Sequence, residues 1–95
     1  MLTGKEKRQL RGLGHGLSPV VMVGKGELSE ALIKETDVAL SAHELIKVKL
    51  LESCLMERHE VAQQLAEACG AEVAQVLGRT FLLYRKGEKP KIQFS

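Results

Sequence analysis

Aromatic side chains are nearly absent: the chain has no tryptophan, one tyrosine (Tyr84) and two phenylalanines (Phe81, Phe94). Bases stack on aromatic faces in sheet platforms of the RNA-recognition-motif kind, so that kind of platform is excluded. Cysteine is scarce as well. Cys54 and Cys69 are too few for a disulfide framework, and they lack the Cys-x-x-Cys spacing of a structural zinc site. No run approaches the ~18 apolar residues of a membrane span. Met1-Leu2-Thr3-Gly4-Lys5 turns charged at once, so no signal-peptide core is expected. With Pro19 and Pro90 as the only prolines, no linker or repeat stands out. These absences leave a reduced, cytoplasmic protein as the expectation, and 95 residues make one domain, 1–95.

The apparatus of catalysis is missing too. His43-Glu44 and His59-Glu60 are not zincin motifs, because the positions that need a second histidine hold Lys47 and Gln63. There is no G-x-S-x-G elbow, and Gly24-Lys25-Gly26 is too short for a Walker A loop. Cys69 falls on an apolar helical stripe and reads as core. The expectation is a protein that is not an enzyme and takes no cofactor and no metal.

Charge is what the chain does have, unevenly placed. Residues 1–25 carry Lys5, Lys7, Arg8, Arg11 and Lys25 against Glu6, a net +4. Residues 78–95 carry Arg79, Arg85, Lys86, Lys89 and Lys91 against Glu88, again net +4, while 26–77 is net −6. If the two ends meet in the fold they form a basic patch on an otherwise acidic molecule, the polarity of a polyanion-binding surface. We expect them to converge beside the Gly24 turn.

Local patterns give the elements. Thr3-x-x-Glu6 is a capping box, and a helix follows over about 4–13, with Lys5, Arg8 and Arg11 three apart in succession. Pro19-Val20-Val21-Met22-Val23 is a strand, and its unbroken apolarity suggests burial on both faces. Ser29 caps a second helix reaching about Ala42, with Ala31, Leu32, Val38, Ala39 and Ala42 on one side. Residues 45–51 alternate Ile46, Val48, Leu50 against Lys47, Lys49, a second strand. A third helix spans 57–69, with Val61, Ala62, Leu65, Ala68 and Cys69 inward and Gly70 ending it. Residues 73–77 and 80–85 are strands joined through Gly78-Arg79 as a hairpin. The polar segment 86–95 reads as a loose tail. The order α-β-α-β-α-β-β predicts an α/β fold of two layers, a mixed four-stranded sheet with three helices.

Gly24-Lys25-Gly26-Glu27 lies between a strand and a helix start. Glycine there lets backbone come close to a ligand, and helix-start N–H groups suit phosphate. Either the glycines supply turn dihedrals only, or the loop holds phosphate with Lys25 beside it.

The loop does not stand alone, and five stretches are to be taken together with it. They are Leu2-Thr3 with the basic first helix, Leu17-Ser18-Pro19-Val20-Val21-Met22-Val23-Gly24-Lys25 and Leu28-Ser29-Glu30, then His43-Glu44-Leu45-Ile46-Lys47-Val48-Lys49, and last Gln75-Val76-Leu77-Gly78-Arg79-Thr80-Phe81-Leu82-Leu83-Tyr84-Arg85. The sequence resembles the YhbY family, the bacterial single-domain form of the CRM (chloroplast RNA splicing and ribosome maturation) domain. The likeness covers about 2–86 and leaves 87–95 as a tail. It implies a fold similar to the C-terminal domain of translation initiation factor three, and RNA binding, in bacteria associated with precursors of the large ribosomal subunit. The family's loop is Gly-x-x-Gly, whereas Glu27 stands here at the second glycine. An anion at that place favours the helix dipole but repels phosphate. Either Gly26 takes over the turn, or contact shifts to Lys25 and the first helix.

The expected RNA-binding residues are Lys5, Arg8, Arg11, Gly24, Lys25 and Gly26. Lys47 and Lys49 join them if their sheet face is open, the alternative being pairing with Glu44 or Glu52; Arg79 and Arg85 are similar cases. The expected partner is RNA, ribosomal RNA or precursor ribosomal particles, with no small-molecule substrate and no membrane. A protein-interaction module is the alternative. A phosphate-handling enzyme would have to use Glu27, the one carboxylate near the loop, as its base.

Overall fold

A computed structural model describes residues 1–94 of the chain. Ser95, the last residue of the expected tail, lies outside the described residues. The elements are α1 (Gly4–Gly14), β1 (Pro19–Val23), α2 (Glu30–His43), β2 (Leu45–Leu50), α3 (Arg58–Cys69), β3 (Glu72–Leu77) and β4 (Thr80–Tyr84), in the order expected. No helix is long and apolar enough to cross a membrane.

Each helix starts on its own sequence signal. The Thr3 hydroxyl accepts from the Glu6 N–H at 3.1 Å while the Glu6 carboxylate accepts from the Thr3 N–H at 2.9 Å, so both halves of the box form. Ser29 accepts from the Leu32 N–H. Glu57 caps α3 by accepting from the His59 and Glu60 N–H groups, and those bonds with the His59 ring hold its pKa below the ordinary value.

The sheet order is β1-β2-β4-β3, with β1 parallel to β2 and the other neighbours antiparallel. The two central strands set the faces. Ile46, Val48 and Leu50 of β2 and Phe81 and Leu83 of β4 point to one side, where they pack with Leu40 of α2 and Val61, Ala62, Leu65, Ala66 and Cys69 of α3. Leu45, Leu82 and Tyr84 point to the other, where Leu2 and Leu10 close a second, smaller core. The mixed sheet with three helices is as expected. The two layers become two plus a partial third, because α1 lies on the face opposite α2 and α3. Its last residue is pressed onto the sheet. A Cβ at Gly14 would stand 2.4 Å from a Leu82 methyl, so only glycine lets the helix come down so far.

Three readings of the sequence change. First, β1 is an edge strand, not one buried on both faces: Val21 and Val23 are buried, while Val20 and Met22 are 48% and 53% exposed. Second, α2 turns inward through Leu32, Ile33, Thr36, Ala39 and Leu40, leaving Ala31, Val38 and Ala42 outside. Thr36 made the stripe hard to see, since its hydroxyl bonds back to the Leu32 carbonyl and so buries without an orphaned polar atom. In α3, likewise, Ala66 is buried and Ala68 is not. Third, the tail is docked. Glu44 is 2% exposed, at φ 62, and its carboxylate accepts from the Gly87, Lys91 and Ile92 N–H groups at 2.7–3.0 Å. The Gln9 amide reaches the Gln93 carbonyl, and Phe94 meets Tyr84 edge-on with ring centroids 5.6 Å apart.

Burial pushes the Glu44 pKa up, but the three N–H donors and the Lys91 ammonium outweigh it and hold the carboxyl below its ordinary value. A carboxylate with a lowered native pKa stabilises the fold above its unfolded pKa of about 4.3, and that contribution is lost as pH falls through the native value. Hydrogen exchange should therefore show Gly87, Lys91 and Ile92 protected at pH 6 and released, ahead of the core strands, only when the pH falls below the ordinary carboxylate range. Glu44→Gln should release them at pH 6 as well. Protection that is unchanged in the variant would contradict the latch.

Candidate nucleic-acid interface

Eleven residues of α1 cover only part of the second sheet face. The register shows which part stays open. Met22 pairs with Lys49, Lys49 with Thr80, and Thr80 with Leu77, so these four form one row across all strands. Residues directly opposite one another share a face, and this is the face that carries Leu45 and Lys47. With strands 4.8 Å apart, the row is about 14 Å long. One alternation down, Leu82 is already buried under Gly14. The row ends in open solvent: Met22, Lys49 and Leu77 are all exposed.

The glycine turn sits at the same end of the sheet, immediately after β1. The Glu27 N–H donates to the Gly24 carbonyl at 3.0 Å, closing a tight turn with Lys25 and Gly26 at its tip. A Cβ at Gly24 would come within 3.1 Å of the Ser53 hydroxyl, so the turn is packed close on the segment after β2. The left-handed position falls to Glu27, at φ 48, rather than to Gly26. That conformation costs a non-glycine residue roughly 1–2 kcal/mol. It is offset by the Glu27 carboxylate, which accepts from the Leu55 and Met56 N–H groups at 3.2 and 3.0 Å. The anion expected to repel phosphate is therefore already engaged by protein donors, and the outer side of Gly26 is open.

The expected site residues separate into three groups. Gly24, Lys25, Gly26, Lys49 and Arg79 lie together at this end of the sheet, with Lys47 one alternation away and half-buried. Neither lysine pairs with Glu44 or Glu52 among the described residues. Arg79 is committed inward in part: its Nε and Nη2 donate to the Leu50 and Leu51 carbonyls at 3.2 and 2.6 Å, tying the hairpin to β2. Lys5, Arg8 and Arg11 are exposed on α1, which crosses the other half of the face. The start of that helix belongs to the far end of the sheet, where the Leu2 N–H donates to Glu72 and Glu72 pairs with Tyr84. The two termini do meet, through Gln9 and Gln93, but not beside the glycine turn. Of the two basic ends only Lys25 and Arg79 lie at the turn, joined there by Lys49 of β2, while Lys5, Arg8 and Arg11 sit on α1 and Lys91 beside Glu44.

Arg85 forms the third group alone. Its guanidinium donates to the Asp37 carboxylate and carbonyl, the Ser41 hydroxyl and the Cys69 carbonyl, joining α2 to the end of α3. Met22, Thr80 and Leu77 were missed from sequence. The alternation of β1 that would have exposed Met22 is invisible in a run of apolar residues, and Leu77 was read only as the end of a strand.

Among the described residues no three His, Cys, Asp or Glu side chains cluster as metal ligands. Burial pushes the Cys69 thiol up, Asp37 adds to this and Arg85 opposes it, and the Sγ faces the Ile33 carbonyl. Arg85→Ala should cost about 1 kcal/mol in urea denaturation, since it removes four hydrogen bonds that join α2 to the end of α3, whereas Lys25→Ala should stay within about 0.5 kcal/mol of the parent. Equal effects would contradict this division between clamp and surface.

Comparison with known proteins places the chain in a family. The model of the CRS1 / YhbY (CRM) domain matches residues 2–85. The chain is 41% identical over 91 residues to the probable RNA-binding protein YqeI of Bacillus subtilis, covering 96% of this chain and 95% of that one. It is 49% identical over 89 residues to a probable RNA-binding protein of Methanocaldococcus jannaschii, covering 92% of this chain and 66% of the relative. The solution structure of a Staphylococcus aureus protein superposes with a TM-score of 0.85 at 41% identity, covering the whole of both chains. With five-sixths and more of its length matched on each count, this chain belongs to the CRS1/YhbY (CRM) domain family.

Proposed function

We propose that this protein binds RNA, that its RNA is ribosomal, and that it assists maturation of the large ribosomal subunit in the cytoplasm. The names of the relatives support RNA binding, and the resemblance to the bacterial single-domain family supports the ribosomal assignment. The observation that carries the reading is the union of the glycine turn, with Lys25 at its tip, and the open row holding Lys49 at one end of the sheet. Among the described residues neither ammonium group has an acidic partner, and the nearest loop anion, Glu27, is turned onto Leu55 and Met56.

The mechanism is contact with the sugar-phosphate backbone. Phosphates at the turn meet the Lys25 ammonium and the open side of Gly26, a neighbouring phosphate meets Lys49, and Lys47 extends the path toward α1. Arg8, Arg11 and Lys5 carry a longer RNA across the helix. Arg79 contributes position by holding the hairpin against β2, and Arg85 is left out because protein acceptors consume its donors. Each phosphate contact contributes about −0.7 to the logarithmic salt slope on single strands.

Titration of ribosomal RNA at several salt concentrations tests this. Lys25→Ala and Lys49→Ala should each weaken binding and reduce the slope by about 0.7, and together by about 1.4; Arg8→Ala should weaken long RNA more than short. The parent protein should co-sediment with precursors of the large subunit rather than with mature particles. Affinity unchanged in both lysine variants would contradict the interface. Binding to RNA without precursor particles would contradict only the ribosomal assignment.

A further inference from the structure

The open row carries more apolar surface than phosphate contact can use. Met22 and Leu77 stand at its two ends, 53% and 63% exposed, with Lys49 and Thr80 between them. Val20, two residues back along β1, is exposed as well. Charge alone gains nothing from these side chains, so the row calls for a partner with both anionic and apolar parts.

RNA has both, but only where its bases are unpaired. A duplex hides the base faces in its stack and presents phosphates, 2′-hydroxyls and a wide, shallow minor groove. Laid along this row, it would leave Met22 and Leu77 against sugar and water. An unpaired strand can turn base faces onto the thioether and the leucine while its phosphates reach Lys49 and Lys25. Sulfur suits this role, being polarizable and favourable against aromatic rings. A second copy of the chain is disfavoured at the sheet edges, because both edge strands are irregular: β1 shifts register between Pro19 and Val21, and β3 between Val73 and Gln75. Lys49 in the row and Lys25 at the adjacent turn also favour a polyanion.

We propose that the row Met22–Lys49–Thr80–Leu77 receives unpaired nucleotides, with base faces resting on Met22 and Leu77. The protein thereby selects single-stranded or bulged RNA over duplex of equal charge. Every base has a face, so this selection is for unpaired structure and not for sequence. The inference rests on the RNA-binding reading and adds the structural class of the RNA.

The test is fluorescence anisotropy with two RNAs matched in phosphate number, a twenty-three-nucleotide unpaired strand and a twelve-base-pair duplex, each with twenty-two phosphodiesters. The parent should bind the unpaired strand about tenfold more tightly, with a similar slope against salt. Met22→Ser combined with Leu77→Ser should weaken unpaired binding about five- to tenfold and leave duplex binding and both slopes unchanged. Both positions are exposed, so the fold should survive, which circular dichroism checks; Val38→Ser, exposed on the opposite side of the sheet, should alter neither affinity. Equal affinity of the parent for the two RNAs, or a loss shared by both in the double variant, would overturn the inference and leave RNA binding standing. Loss of self-association in the double variant with RNA binding intact would overturn it too, marking the row as a contact between copies. Failure of the parent to bind either RNA would overturn the RNA-binding reading itself.

Discussion

A helix of eleven residues is about 16 Å long and, with its side chains, about 10 Å wide. A face of four strands, each five or six residues long, measures about 14 by 20 Å. One such helix cannot close one such face, and this mismatch of areas shapes the molecule. On the first face two helices share the work, and Ile46, Val48, Leu50, Phe81 and Leu83 are sealed. On the second, α1 is pinned low by the seat of Gly14 on Leu82 and by the anchoring of Leu2 to Glu72. What it leaves open is the row nearest the strand ends that carry the glycine turn and the hairpin. The surface is thus a consequence of packing: the same alternation of β2 that sends three aliphatic residues to the large core presents Lys49 to solvent.

The remaining polar groups near that end are spent on holding it still. Glu27 accepts backbone N–H groups from the segment before α3, Arg79 grips the carbonyls at the end of β2, and Arg58 reaches the Gly78 carbonyl. With these charges engaged, Lys25 and Lys49 remain beside the turn as cations without an acidic partner among the described residues. At the opposite end Glu44 performs a comparable task for the segment after β4. A carboxylate with three backbone donors fixes a stretch of chain whose composition alone would leave it loose, and Ile92 and Phe94 then complete the small core.

Much of this was legible in the residues. Thr3-x-x-Glu6, Ser29, the Ile46–Lys47–Val48–Lys49–Leu50 alternation and Gly78-Arg79 are local signals, and each fixes its element to within a residue or two. Three kinds of information were not local. A run in which every residue is apolar, as in β1, carries no period, so its edge position could not be read. A threonine that satisfies its hydroxyl inside its own helix looks polar in sequence and is buried in the fold, which displaced the inward stripe of α2. The destinations of Arg85, Glu27 and Glu44 depend on partners 16 to 48 residues away in sequence, and no spacing rule announces them. For the same reason the basic residues could be counted from sequence but not sorted into clamp and surface.

The most direct test is a two-dimensional NMR titration of the folded protein with a short unpaired RNA. The account predicts that the Met22 methyl and the amides of Lys25, Gly26, Lys49 and Thr80 shift most, with smaller changes spreading onto α1. Perturbations confined to α2 and α3, or to residues 86–94, with the row left unchanged, would contradict it.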